Sequence, residues 1–324
     1  MLQLNPSTLT LLLSLFASST LAQDGDLSSN LVGCDEVSCP KKGADDRCTV
    51  GNNTFLGIGL SRIPKVPSPL EGFSLVKGVN VSAGLGGKDN DKEIRPFKSV
   101  YYLGTPSRVD AEDLSGCVVV FHDPPSKKFD GPQQEGGNRT DTRAASGTCS
   151  DVIEQKCIDS ITERATKVAN DANGNVCSTL ERELNRLSFS ECDSFSRGSG
   201  QLGNFTVKSL GDLNAVSNST DCWPIQPKSD KLMEIGSNVA KRNFSANALM
   251  DEAYKITPVL TVFVGGGNDS LVERTASQLT CLKVVTEENP SDDEDGSENA
   301  AVGLNGSGFA AGVAVLVAGI FAVL

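Results

Sequence analysis

Ten cysteines, Cys34, Cys39, Cys48, Cys117, Cys149, Cys157, Cys177, Cys192, Cys222 and Cys281, constrain this 324-residue chain more than any other feature. In an oxidising compartment an even set is paired, so the fold must bring these positions together in twos. The same arithmetic argues against catalytic thiols. The compartment is therefore the first thing to settle.

Two apolar runs address it. Leu9 to Ala17 is far shorter than the roughly 20 residues of a spanning helix, and it leads into small residues at Thr20 and Ala22. That pattern reads as a signal peptide, residues 1–22, removed before Gln23. The second run, Phe309 to Leu324, would rise only about 24 Å as a helix against a hydrocarbon core of about 30 Å. It reads as a glycosylphosphatidylinositol (GPI) attachment propeptide, residues 300–324, with the anchor at Asn299 before Ala300-Ala301, or alternatively at Gly296. What the two signals leave is an extracellular span tethered to the membrane through a GPI lipid.

Charge patterning agrees with that division. The net charge is −12, and Glu287, Glu288, Asp292, Asp293, Glu294, Asp295 and Glu298 supply much of it in one stretch with no basic residue. Such a run repels itself and buries nothing, so residues 287–299 are expected to form an acidic disordered stalk. Nucleic acid is not an expected partner on charge or compartment. The sequons at Asn52, Asn80, Asn138, Asn204, Asn218, Asn243 and Asn268 mark positions that must reach solvent if glycosylated.

Between the signals, residues 23–286 are expected to form an α+β, disulfide-braced ectodomain. Short apolar segments at Phe55–Ile63, Phe73–Val81, Ser99–Leu103 and Cys117–His122 make the N-terminal half β-rich. Residues 124–147 are polar and rich in glycine, which reads as a loop joining subdomains 31–123 and 148–286. Beyond it, Ile153, Cys157, Ile161, Ala165 and Val168 recur at helical spacing over 151–169, with Asp151 and Glu154 placed as a capping box. A second helix is expected from Ser178, with Leu180, Leu184 and Leu187 on one face. If the two form an antiparallel hairpin, Cys157 falls opposite Cys192. Ile256–Val264 and Leu279–Val285 read as buried strands near the C-terminal end.

Several chemistries are excluded or left without support. One histidine, His122, rules out a site with several imidazoles on zinc, and no Gly-x-Ser-x-Gly elbow offers it a nucleophile. It reads as a strand-end histidine, with Asp123 capping the proline turn after it. Asp171, Asn173 and Asn175 fall at the first, third and fifth positions of a calcium loop, but Val176 and Arg182 stand where Gly and Glu should. Those three are the candidate metal ligands; otherwise no metal, no cofactor-binding residue and no catalytic residue is expected. Gly265-Gly266-Gly267 reads as a strand-exit turn rather than a phosphate cradle, because Ser270 replaces the third glycine of the fingerprint.

The cleavable leader, the even cysteine set, the scattered sequons, the acidic stretch and the Ala/Gly/Val-rich terminal run together resemble the GPI-anchored cell-surface proteins of filamentous fungi. The resemblance implies a place on the extracellular face of the plasma membrane or in the cell wall. Wall polysaccharide or an extracellular protein is the expected partner. The expected function is a non-enzymatic binding or envelope role. The alternatives are a carbohydrate-active enzyme, for which a cleft beside Trp223, Tyr101 or Tyr102 would be needed, and a carrier holding a small ligand between sheet and helical hairpin.

Overall fold

The computed structural model describes residues 48–55, 57–82, 94–131, 142, 147–193, 195, 201–216, 224–225, 231–266 and 270–284. Both apolar runs, the acidic stretch, Asn299, Gly296, Cys34, Cys39, Cys222, Trp223 and the sequons at Asn138, Asn218 and Asn268 lie outside these residues.

The chain is α+β, with helices and several antiparallel sheets. A small hairpin, β1 (Cys48–Val50) and β2 (Asn53–Phe55), precedes β3 (Gly57–Arg62), β4 (Ser74–Val81), β5 (Ile94–Thr105) and β6 (Gly116–Phe121). Next come helices α1 (Cys149–Val152), α2 (Gln155–Asp171) and α3 (Val176–Arg186). The remainder is β7 (Phe205–Ser209), β8 (Asn214–Ala215), β9 (Lys231–Asn243), α4 (Ala246–Glu252), β10 (Thr257–Phe263) and β11 (Ala276–Leu282). A four-stranded sheet runs in the order β11-β10-β6-β7, and a five-stranded sheet in the order β3-β4-β5-β9-β8.

Alternation along the strands explains how the layers stack. Val118 and Val120 of β6 point with Val259 and Phe263 of β10 toward Leu75, Tyr101, Leu103 and Met233 of the other sheet, and together they fill a sandwich core. The next residues along, Cys117, Val119, Phe121, Leu260 and Val262, point the opposite way and meet Ile161, Ala165, Leu180 and Leu184 of the helices. The β6–β10 pair is thus covered on both faces, which is why it reads as an uninterrupted apolar run. The outer face of the five-stranded sheet is covered in part by the β1–β2 hairpin, through Val50, Phe55, Val100, Tyr102 and Leu232. One side of the sandwich is closed where β3 meets the end of β11; a Cβ on Gly59 would lie 2.2 Å from the Lys283 carbonyl oxygen, so only glycine fits.

Strand pairing links residues that precede the 124–147 segment with residues that follow it. β6 lies between β7 and β10, and β5 pairs with β9 from Ile94 to Thr105, so residues on both sides of the 124–147 segment build each sheet. Their apolar faces are shared and neither half closes a core alone.

The helical region begins differently from its sequence reading. Asp151 accepts hydrogen bonds from the Thr148 backbone N–H (2.7 Å) and hydroxyl (2.9 Å), so it serves the short α1 and not a continuous helix. Ile153 is then extended at φ −126°, ψ 133°, which breaks the helix before Gln155. Likewise α3 starts at Val176, because the Asn175 side chain accepts from the Ser178 N–H at 2.9 Å and caps it. Three disulfides tie this region down. Cys117–Cys177 joins β6 to α3, Cys149–Cys281 joins α1 to β11, and Cys157–Cys192, the pairing expected of the two helices, joins α2 to the segment after α3.

Candidate functional site

Helix α2 buries one stripe and leaves two polar rows beside it. Cys157, Ile161, Ala165, Val168 and Ala169 face the sheet. Spacing of four then sets Thr162, Thr166 and Asn170 along one flank, and Glu163, Lys167 and Asp171 along the next. These rows and Ser277, at the start of β11, line an open groove of about 430 Å³. Its floor is tied across the two elements by a hydrogen bond of 2.9 Å from the Thr166 hydroxyl to Ser277 Oγ. Thr162 turns its hydroxyl back to the Ile158 carbonyl at 2.9 Å, which fixes its rotamer and leaves its oxygen free to accept.

A second concentration of polar groups sits inside the protein. Lys77 of β4 is fully buried, and its ammonium donates to the carbonyls of Lys255 (3.0 Å) and Ala253 (3.4 Å) and to Thr257 Oγ1 (3.0 Å). Lys255 donates to the His122 carbonyl at 2.7 Å and to Glu252 Oε2 at 3.2 Å. Glu252 accepts on its other oxygen from Arg242 Nε at 2.8 Å. Lys283 donates to the Val284 carbonyl and lies 5.5 Å from the ring centroid of Phe129. Three buried lysines, Lys77, Lys255 and Lys283, and the buried carboxylate of Glu252 therefore share this part of the interior.

The electrostatic consequences follow from that count. Burial, reinforced by the nearby Lys255 and Lys283, holds the Lys77 amine well below the ordinary lysine range against the opposing pull of Glu252. His122 is pushed down to about 4, mainly by burial and secondly by Lys255, with Asp123 opposing. Its Nε2 pairs with Thr206 Oγ1 at 3.1 Å, while Nδ1 has no hydrogen-bond partner among the described residues. Burial likewise raises the Tyr101 phenol to about 12. With Lys77 fully enclosed and His122 only 6% exposed, the cluster is not placed to meet a substrate, and its role is to fasten the end of α4 and the start of β10 to the sandwich.

The residues singled out from sequence are distributed as follows. Asp171, Asn173 and Asn175 are exposed on the α2–α3 connection, where the Asn175 oxygen is already engaged in capping. Asp171 instead joins the groove. Among the described residues no group of three or more His, Cys, Asp or Glu side chains is placed to hold a metal. Asp123 accepts from the Asn204 N–H at 2.9 Å, closing the turn after β6. His122 is buried more deeply than a strand-end residue should be, its ring 6.1 Å from that of Tyr101. Tyr101, Tyr102 and Tyr254 are all buried, so none offers an exposed ring to a sugar, and the space between sheet and helices is filled by side chains. Asn52, Asn204 and Asn243 are exposed, and Asn80 is half-buried at the end of β4.

Glu163, Thr166, Lys167, Asn170 and Ser277 carry no motif and are absent from the sequence reading of the site; the signal was the doubled four-residue spacing of polar side chains on α2. The architecture is a disulfide-stapled antiparallel sandwich with a helical layer on one face. Compared with known protein families, curated proteins and solved structures, the chain matches none. Its function is therefore argued from its own residues.

Proposed function

We propose that the chain is an N-glycosylated cell-surface protein, held by a GPI lipid, with a non-enzymatic binding or envelope role. The observation that carries this reading is the set of three disulfides among the described residues, two joining a helix to the four-stranded sheet and one joining α2 to the segment after α3. Bonds of this kind persist in oxidising surroundings and are reduced in the cytosol, which supports the export reading of the Leu9–Ala17 run. Exposure of Asn52, Asn204 and Asn243 supports glycan attachment there. A rigid, stapled scaffold with polar outer surfaces suits a molecule that displays a binding face outside the cell.

The test is surface labelling of intact producing cells with a membrane-impermeant amine reagent. The expected product is labelled, shifts in mass on removal of N-glycans, and has no free thiol at the six described disulfide cysteines. Recovery from the cytosol, unlabelled and with those thiols reduced, would overturn the reading.

A further inference from the structure

We propose that the groove between α2 and β11 is a saccharide-binding site, taking a neutral polyhydroxylated ligand through hydrogen bonds alone. The inference rests on the reading of the chain as an extracellular binding protein and names the ligand class of one face. Its lining selects by elimination. Glu163 and Asp171 present carboxylates that disfavour phosphate or sulfate, and Lys167 is the one cation among the groove residues. An apolar ligand would leave the carboxylates and the Asn170 amide unsatisfied. A chain of vicinal hydroxyls, each both donor and acceptor, fits a lining that offers acceptors only at Glu163 and Asp171, donors only at Lys167, and both at Asn170 and Ser277.

Two further observations favour this face. Ser277 is only 8% exposed, accepts from Thr166, and keeps its own hydroxyl hydrogen available at the floor. The floor is also fixed in place, because β11 is bonded to α1 through Cys149–Cys281 and α2 to the segment after α3 through Cys157–Cys192; little order need be gained on binding. In addition, the sequence has no sequon between Asn138 and Asn204, so the helices carry no glycan of their own. The described sequons lie on or beside other strands: Asn52 in the β1–β2 turn, Asn80 on β4, Asn243 on β9, and Asn204 next to β7 at the sheet edge opposite β11. A volume of about 430 Å³ accommodates one to two sugar rings.

The experiment uses the full secreted glycoprotein with hexasaccharides of β-linked glucose, α-linked mannose and β-linked N-acetylglucosamine, and inorganic phosphate as the charged comparison. Hydrogen exchange locates the contact and calorimetry measures it. At least one hexasaccharide should bind with Kd of about 0.1–1 mM, slow exchange over residues 159–172 and 276–279, and lose affinity roughly tenfold in Asn170→Ala and in Glu163→Ala. Both positions are exposed, and an unchanged melting temperature shows that each variant is folded. Binding of phosphate in preference to the sugars would overturn the inference. So would saccharide binding that leaves 159–172 unprotected and both variants unaffected, although the surface-binding reading would then stand. Absence of all saccharide binding would overturn it as well, and the anchoring of the protein is tested separately by phospholipase release.

Discussion

Lys255 and Glu252 meet inside the protein, Nζ to Oε2 at 3.2 Å, with side chains only 5% and 6% exposed. Glu252 is the carboxylate bonded to Lys255, and its other oxygen accepts from Arg242. Removing one partner of a buried pair leaves the other uncompensated, which typically costs about 3–5 kcal/mol. Glu252→Gln should therefore destabilise the fold by about 3 kcal/mol in urea unfolding. The Glu252→Gln/Lys255→Met double variant should recover part of that loss, and a double variant no better than the single one would contradict the pairing.

His122 gives the fold a defined acid response. Its folded value of about 4 lies below the ordinary 6.5, so between those pH values the unfolded chain binds the additional proton. Its contribution is complete above about 6.5, is lost progressively as pH falls to about 4, and amounts to at most about 3 kcal/mol. Lys77 acts with the same sign over a higher window, stability falling as pH drops from 10.5 toward its lowered value. His122→Gln should flatten the stability profile between pH 6.5 and 4. A profile that keeps its slope would assign the acid response to other groups.

The disulfides should differ in weight. Cys149–Cys281 spans 132 residues and Cys157–Cys192 spans 35, so a chain-entropy account gives the longer loop the larger stabilisation, within a range of about 2–5 kcal/mol. Paired Cys→Ser replacements compared by thermal unfolding check this order. Reversal of the order would place the effect in native packing around Cys157, which is fully buried.

Glycan occupancy should follow exposure. Asn52, Asn204 and Asn243 should each lose one glycan mass on Asn→Gln replacement, with unfolding free energy changed by no more than about 0.5 kcal/mol. Peptide mapping by mass spectrometry reads this directly; unmodified asparagine at all three positions would contradict the extracellular reading.

How much of this was legible in the sequence depended on how each residue is buried. β6 and β10 declare themselves because apolar residues such as Val118, Val119, Leu260 and Val262 lie between two layers. β9, the longest strand at 13 residues, does not. Beyond Ile235 its residues are exposed or half-buried, so Ser237, Asn238, Lys241 and Arg242 carry no alternation to read. The helical spacing of Ile161, Ala165, Leu180 and Leu184 was plain, and with it the proximity of Cys157 and Cys192. The break at Ile153 was not, because it depends on Asp151 choosing Thr148 as its partner. Lys77 stands in an apolar strand, but that Lys255 and Lys283 join it depends on pairing across the β10–β11 ends, which no local pattern encodes. The groove escaped for a similar reason, since Ser277 reaches Thr166 only through tertiary packing.

The most direct test of the central claim is treatment of intact producing cells with phosphatidylinositol-specific phospholipase C. Release of the glycosylated, disulfide-bonded protein into the medium, ending at Asn299 or Gly296 with the lipid headgroup remnant attached, is the result expected. Retention in the membrane fraction with residues 309–324 still present would contradict it.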